Sequence, residues 1–171
     1  MCSCSPAVIA QLSNRMGPAA FSAWFTAMQA LLNQPGIEYL GAVNHDYLYA
    51  HFASAGFLLY PTNFPETGCI TAMKAMLSGL IPITSRFADS VLHSLTAEFD
   101  MGPDERLSAQ VGRDPRQYAL WVQDQWVPAV IAAAGRKGLD ERRRDMMVYA
   151  EKSFSWKSTA SIFEDAFFAD N

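Results

Sequence analysis

Glu66 is the one acidic residue in a proline-containing loop between an apolar run, Phe57 to Tyr60, and a Gly-Cys step that opens a helix at Cys69. The first backbone N–H groups of a helix are unpaired and collect negative charge. Gly68, Cys69 and Ile70 offer such N–H groups, with Thr67 beside them, and Thr71 adds a hydroxyl. Gly68 also permits close ligand approach. Lys74 can serve a phosphate oxygen as a point charge or pair with Glu66, and Arg86, just past a second apolar strand, is a further phosphate contact. Strand, loop, helix N-terminus and strand, with the helix start at the carboxyl edge of a parallel sheet, read as a nucleotide or phosphate site.

The surrounding elements must hold these residues in place. Residues 17–34 set Phe21, Trp24, Phe25, Met28, Leu31 and Leu32 at helical spacing, with Pro18 at the start and Pro35-Gly36 at the stop. Residues 37–43 read as a strand, and Asn44 or Asp46 can cap a helix over 46–55. The run 57–60 is a strand buried on both faces, 69–78 a helix closed by Gly79, and 81–85 a strand with Pro82 at its start. Residues 87–95 read as helix. Such alternation predicts an α/β fold, a Rossmann-like parallel sheet with flanking helices. Beyond residue 96 comes a Gly- and Pro-punctuated loop with room for a short strand, and then a mainly helical part over 115–134, 139–152 and 156–168. The expected organisation is a flexible terminus over 1–16 and one domain over 17–171, α/β to residue 95 and mainly helical after it.

Composition narrows the function classes. The chain has 171 residues, half of them apolar and 18% charged, which is globular rather than disordered. A net charge of −4 argues against nucleic-acid binding. No apolar run approaches the ~20 residues that span a bilayer. The first residues make no convincing signal peptide, and three cysteines make no disulfide framework, so a cytoplasmic location is expected, with peripheral membrane association left open. Cys2 and Cys4 lack nearby ligand partners, and no metal site is expected. His45, His51 and His93 fall on helices and read as packing residues. Cys69 reads as a small buried residue, Trp24, Trp121, Trp126 and Trp156 as core or as faces that a missing domain covers, and Arg142, Arg143 and Arg144 as a solvated helix face.

The order Pro61, Glu66, Gly68, Ala75-Met76, Gly79 and Pro82, with Phe154-Ser155-Trp156 before a last helix, resembles the C-terminal half of retaining GT-B glycosyltransferases of the "glycosyl transferases group 1" family. The resemblance covers roughly residues 36–95 and 140–168 and is strongest over 56–86. It implies a nucleotide-sugar donor as co-substrate, no cofactor, and a glycan, lipid or protein acceptor bound by an N-terminal domain or partner chain. As the catalytic residue, Glu66 would face the donor sugar and the reacting centre, where a carboxylate stabilises the positive charge that grows on the anomeric carbon. The N–H groups of Gly68, Cys69 and Ile70, with Thr71, would meet the diphosphate or ribose, and the loop at Gly41, Ala42, Val43 and Asn44 the nucleobase. Two departures stand out. The family's second acid is replaced by Lys74, which cannot accept hydrogen bonds from a ribose. The chain is also too short for both GT-B domains, and it lacks the usual first two strands with their basic clamp, so it reads as a fragment. The alternative implied is a module that keeps the fold for nucleotide or protein binding without transfer. An unrelated flavodoxin-like or receiver-like domain fits less of the chain, because those domains do not usually end in so long a helical stretch.

Overall fold

The computed structural model describes residues 6–168. The chain forms two compact units, Met1–Leu48 and Tyr49–Asn171. It is of mixed α/β class, mostly helical with one two-stranded parallel sheet.

In the first unit α1 (Pro6–Met16) and α2 (Pro18–Leu32) are joined at Gly17, whose φ of 81° suits a residue without a side chain. Pro18 then takes the first helical turn, where its missing N–H costs nothing. Helix thus occupies residues 6–16 within the stretch predicted as a flexible terminus. Cys2 and Cys4 lie outside the described residues.

The strand predicted over 37–43 does not form. Gly41 turns left-handed at φ 67°, and among the described residues no strand pairs with this run. A strand is held by its neighbours' backbone, so apolar β-formers alone do not make one. Helix α3 (His45–Ser54) follows as predicted, with Asn44 Oδ1 accepting from the Tyr47 N–H at 2.8 Å.

In the second unit β1 (Phe57–Tyr60) and β2 (Ile81–Thr84) run parallel in the register Phe57↔Ile81 to Tyr60↔Thr84, joined through α4 (Ile70–Leu77). Gly79, at φ 88°, ends α4 in a Schellman turn: its N–H donates to the Met76 carbonyl at 3.1 Å, and the Leu80 N–H to Ala75 at 2.9 Å. Every residue of β2 is buried. Pro82 has no N–H to offer, but its carbonyl accepts from the Met101 N–H at 2.8 Å.

Of the helix predicted over 87–95 only residues 92–95 are helical, as part of α5 (Leu92–Thr96). The segment before it is committed elsewhere: Leu107 N–H donates to Ser85, Ala88 N–H to Leu107, and Phe87 is buried against Gly112. A 3₁₀ turn, Ala97–Phe99, and a short helix α6 (Ala109–Arg113) interrupt the loop that follows, and no strand forms in it.

Helix α7 (Pro115–Trp121), a π-turn (Val122–Trp126) and α8 (Val127–Ala134) make up the helix predicted over 115–134. Pro128, just after the π-turn, can neither donate to the carbonyl four residues back nor pass it without a clash, and the wider turn relieves both problems. Helix α9 (Leu139–Phe154) packs on α4, and α10 (Trp156–Phe168) ends the described chain. Met76, Ile81, Ile83, Leu92, Met146 and Ala150 are fully enclosed at the centre of the core.

Candidate functional site

The loop from Pro61 to Cys69 leaves the carboxyl end of β1 and is tied down along its length. Ser85 Oγ donates to the Thr62 carbonyl and Tyr118 OH to that of Pro61. Asn63 Nδ2 donates to the Gly112 carbonyl at 2.7 Å, and the Val91 N–H to Glu66 O at 2.9 Å. These bonds fix the loop to the residue that follows β2, to α6, to α7 and to the turn before α5. Tyr60 OH donates to Glu66 Oε1 at 2.6 Å. The half-buried carboxylate therefore has a set direction. That bond, with burial second, pushes the Tyr60 phenol up to about 12.

At the start of α4, Thr67, Gly68, Ile70 and Thr71 are exposed and Cys69 is buried. Among the described residues no side chain caps the helix there, and the Ile70 N–H turns back to the Gly68 carbonyl at 3.1 Å. Burial pushes the Cys69 thiol up, against a smaller downward pull from the N–H groups of Ala72 and Thr71. A thiol held protonated suits the expected packing role and not a nucleophile.

Glu66, Thr67, Gly68, Cys69, Ile70 and Thr71 thus cluster where β1 hands over to α4. Lys74 lies one turn further along, with Nζ 5.6 Å from the centre of the Tyr49 ring. Among the described residues no ion pair joins it to Glu66. Gly41, Val43 and Asn44 belong to the first unit, where Asn44 caps α3.

Arg86 stands at φ 46°, a conformation a branched or long side chain adopts at a cost. Its guanidinium is turned toward Asp100: Nη2 donates to the Asp100 carbonyl at 2.7 Å and Nε lies 3.9 Å from Oδ2. Asp100 was not among the residues singled out from the sequence, yet its carboxylate is enclosed and saturated. Oδ1 accepts from the N–H groups of Thr84 at 3.0 Å and Gly102 at 2.8 Å, and Oδ2 from the hydroxyls of Thr84 and Thr96. It caps the outer edge of β2 as a neighbouring strand would. The Asp-x-Gly step at 100–102 is the sequence signal that could have found it.

Other expectations sort by packing. Trp126 is buried and its Nε1 donates to the Ile83 carbonyl at 3.2 Å, Trp121 is partly buried, and Trp24 and Trp156 are exposed, so only part of the expected tryptophan core forms. Of the three arginines read as a solvated face, only Arg144 is exposed. Arg142 donates to the Glu98 carbonyl and lies over the Phe99 ring, and burial first, then Arg136, pushes its pKa down. Arg143 lies along Gly79. His93 Nδ1 is 2.9 Å from the Ser90 carbonyl. A cleft of about 550 Å³, lined in part by Met101, Gly102, Gln125 and Arg136, shares no residue with the Glu66 loop. Among the described residues no three His, Cys, Asp or Glu side chains gather as metal ligands, and no helix is long and apolar enough to cross a membrane.

Compared with known proteins, the chain matches no family model, no curated protein and no solved structure.

Proposed function

We propose that this chain is the donor-binding half of a retaining, nucleotide-sugar-dependent GT-B glycosyltransferase, its β1–α4–β2 unit being part of a Rossmann-like nucleotide-binding fold. The observation that supports the reading is Glu66, held by Tyr60 OH at 2.6 Å in a pinned loop beside an α4 N-terminus that no side-chain oxygen caps. As the bond between the anomeric carbon and the diphosphate breaks, positive charge grows on the sugar and negative charge on the leaving group. The Glu66 carboxylate stabilises the first. The N–H groups of Gly68 and Cys69 and the Thr71 hydroxyl donate to the second, in a loop that need not reorganise. The acceptor hydroxyl, on a glycan, lipid or protein, takes the sugar and is presented by a second Rossmann-like domain. The nucleotide-sugar is a co-substrate, no cofactor is required, and the setting is cytoplasmic.

Lys74 favours a second reading, nucleotide binding without transfer. Its ammonium stands where the family has a ribose-binding acid, and it rests on Tyr49. Incubation with a panel of nucleotide-sugars, read as release of free nucleoside diphosphate, separates the two. Hydrolysis that disappears in Glu66→Ala supports transfer chemistry. Calorimetric binding with no Glu66-dependent hydrolysis supports the second reading, and absence of both binding and hydrolysis removes both.

A further inference from the structure

Helix α10 carries a row of large apolar side chains that the described residues of its own unit leave uncovered. Trp156, Phe163 and Phe167 are 89%, 59% and 70% exposed, Ala160 between them is exposed too, and the Phe163 and Phe167 rings stack at 5.7 Å. At 100° per residue these four positions form one stripe. The helix is anchored to α9 from the other side, where Ser158 Oγ donates to the Lys152 carbonyl and Ser155 Oγ accepts from the Ser158 N–H at 3.1 Å. The stripe and the anchor therefore do not compete.

We propose that α10 pairs antiparallel with α10 of a second copy of this chain. The stripe is spaced four, three and four residues apart, the a/d spacing of a helix seam, and that spacing is the same read in either direction. A two-fold axis thus sets Trp156 beside the partner's Phe167 and Ala160 beside the partner's Phe163, a small side chain against a large one at the centre. Charge selects the same arrangement. Lys157 and Glu164 each follow a seam residue and share one flank of the helix. Antiparallel pairing brings like flanks together, so Lys157 faces the partner's Glu164, and symmetry makes the pair twice. A parallel pair would set that flank against Thr159 and Ala166, which carry no charge. A lipid surface would bring Glu164 toward the headgroups at the edge of the buried stripe. The 13-residue helix is about 20 Å long, so the seam is short and the dimer reversible.

Sedimentation velocity of the full chain over a concentration series tests this. A concentration-dependent monomer–dimer equilibrium is expected. Phe163→Glu abolishes it with the helical circular dichroism unchanged, since Phe163 is exposed in the monomer. Lys157→Glu and Glu164→Lys each weaken the dimer about tenfold, by turning two attractions into repulsions. The Lys157→Glu/Glu164→Lys double variant restores it. A wild-type monomer at every concentration, with or without binding to anionic vesicles, overturns the proposal. So does a dimer indifferent to Phe163→Glu, or a double variant no tighter than the single ones.

Discussion

The Tyr60 hydroxyl donates to Glu66 Oε1 at 2.6 Å, joining the last residue of β1 to the acid of the loop it leads into. Because the bond favours the neutral phenol beside a carboxylate, Tyr60 titrates at about 12 instead of its ordinary value of about 10. A raised folded-state pKa stabilises the protein fully below the unfolded value. That contribution is lost as the pH rises from about 10 through 12. In Glu66→Gln the phenol should titrate closer to its ordinary value, read by ultraviolet difference titration against Tyr60→Phe. A Tyr60 titration unmoved by Glu66→Gln would mean that the bond does not govern the loop.

Asp100 accepts from four donors at the edge of β2, one of which, the Thr96 hydroxyl, also reaches the Leu92 carbonyl at 2.7 Å. Asp100→Ala leaves the Thr84 N–H and hydroxyl, the Thr96 hydroxyl and the Gly102 N–H without it, at a cost of about 3–5 kcal/mol. Asp100→Asn retains one oxygen acceptor and should cost roughly 1–3 kcal/mol. Urea unfolding checks the order, which fails if the two variants are equally stable.

Glycines 68 and 102 should respond oppositely to alanine. A Cβ on Gly102 would lie 2.1 Å from the Thr84 carbonyl oxygen, so β2 or the 100–102 turn must move, at about 2–4 kcal/mol. A Cβ on Gly68 meets nothing within 4 Å, so Gly68→Ala should change stability by no more than about 0.5 kcal/mol. Any loss of nucleotide affinity in Gly68→Ala then reports ligand approach rather than folding. Thermal unfolding and calorimetry of the same two proteins give both answers.

Lys74→Glu restores an acid at the position where the resembled family has one. Under the proposed function it supplies an acceptor for ribose hydroxyls and should tighten nucleoside diphosphate binding several-fold, a gain of roughly 1 kcal/mol. The same change removes the contact with the Tyr49 ring, worth about 0.5–1 kcal/mol of stability. Tighter binding in a slightly less stable protein is the expected pair of results. Weaker binding would assign Lys74 to a phosphate.

Much of the local structure was legible in the residues themselves. The apolar runs at 57–60 and 81–84, the Gly79 stop and the Asn44 cap are short-range signals, and each formed where its own chemistry required. The Glu66 loop was legible as a candidate for the same reason, since a strand, a turn and a helix start are neighbours in sequence. The legible features are therefore local: helix spacing, caps, and the loop that carries Glu66. The rest depends on contacts between segments distant along the chain. Residues 37–43 have strand composition but no strand beside them among the described residues, and of residues 87–91, which have helical spacing, Ala88 N–H donates to Leu107, Val91 N–H to Glu66, and Phe87 packs on Gly112. Tyr60 became the partner of Glu66, and Asp100 the edge of β2, through bonds between groups 6 and 16 residues apart. Such bonds exist only after the chain has closed its loops, so no periodicity within one segment could announce them.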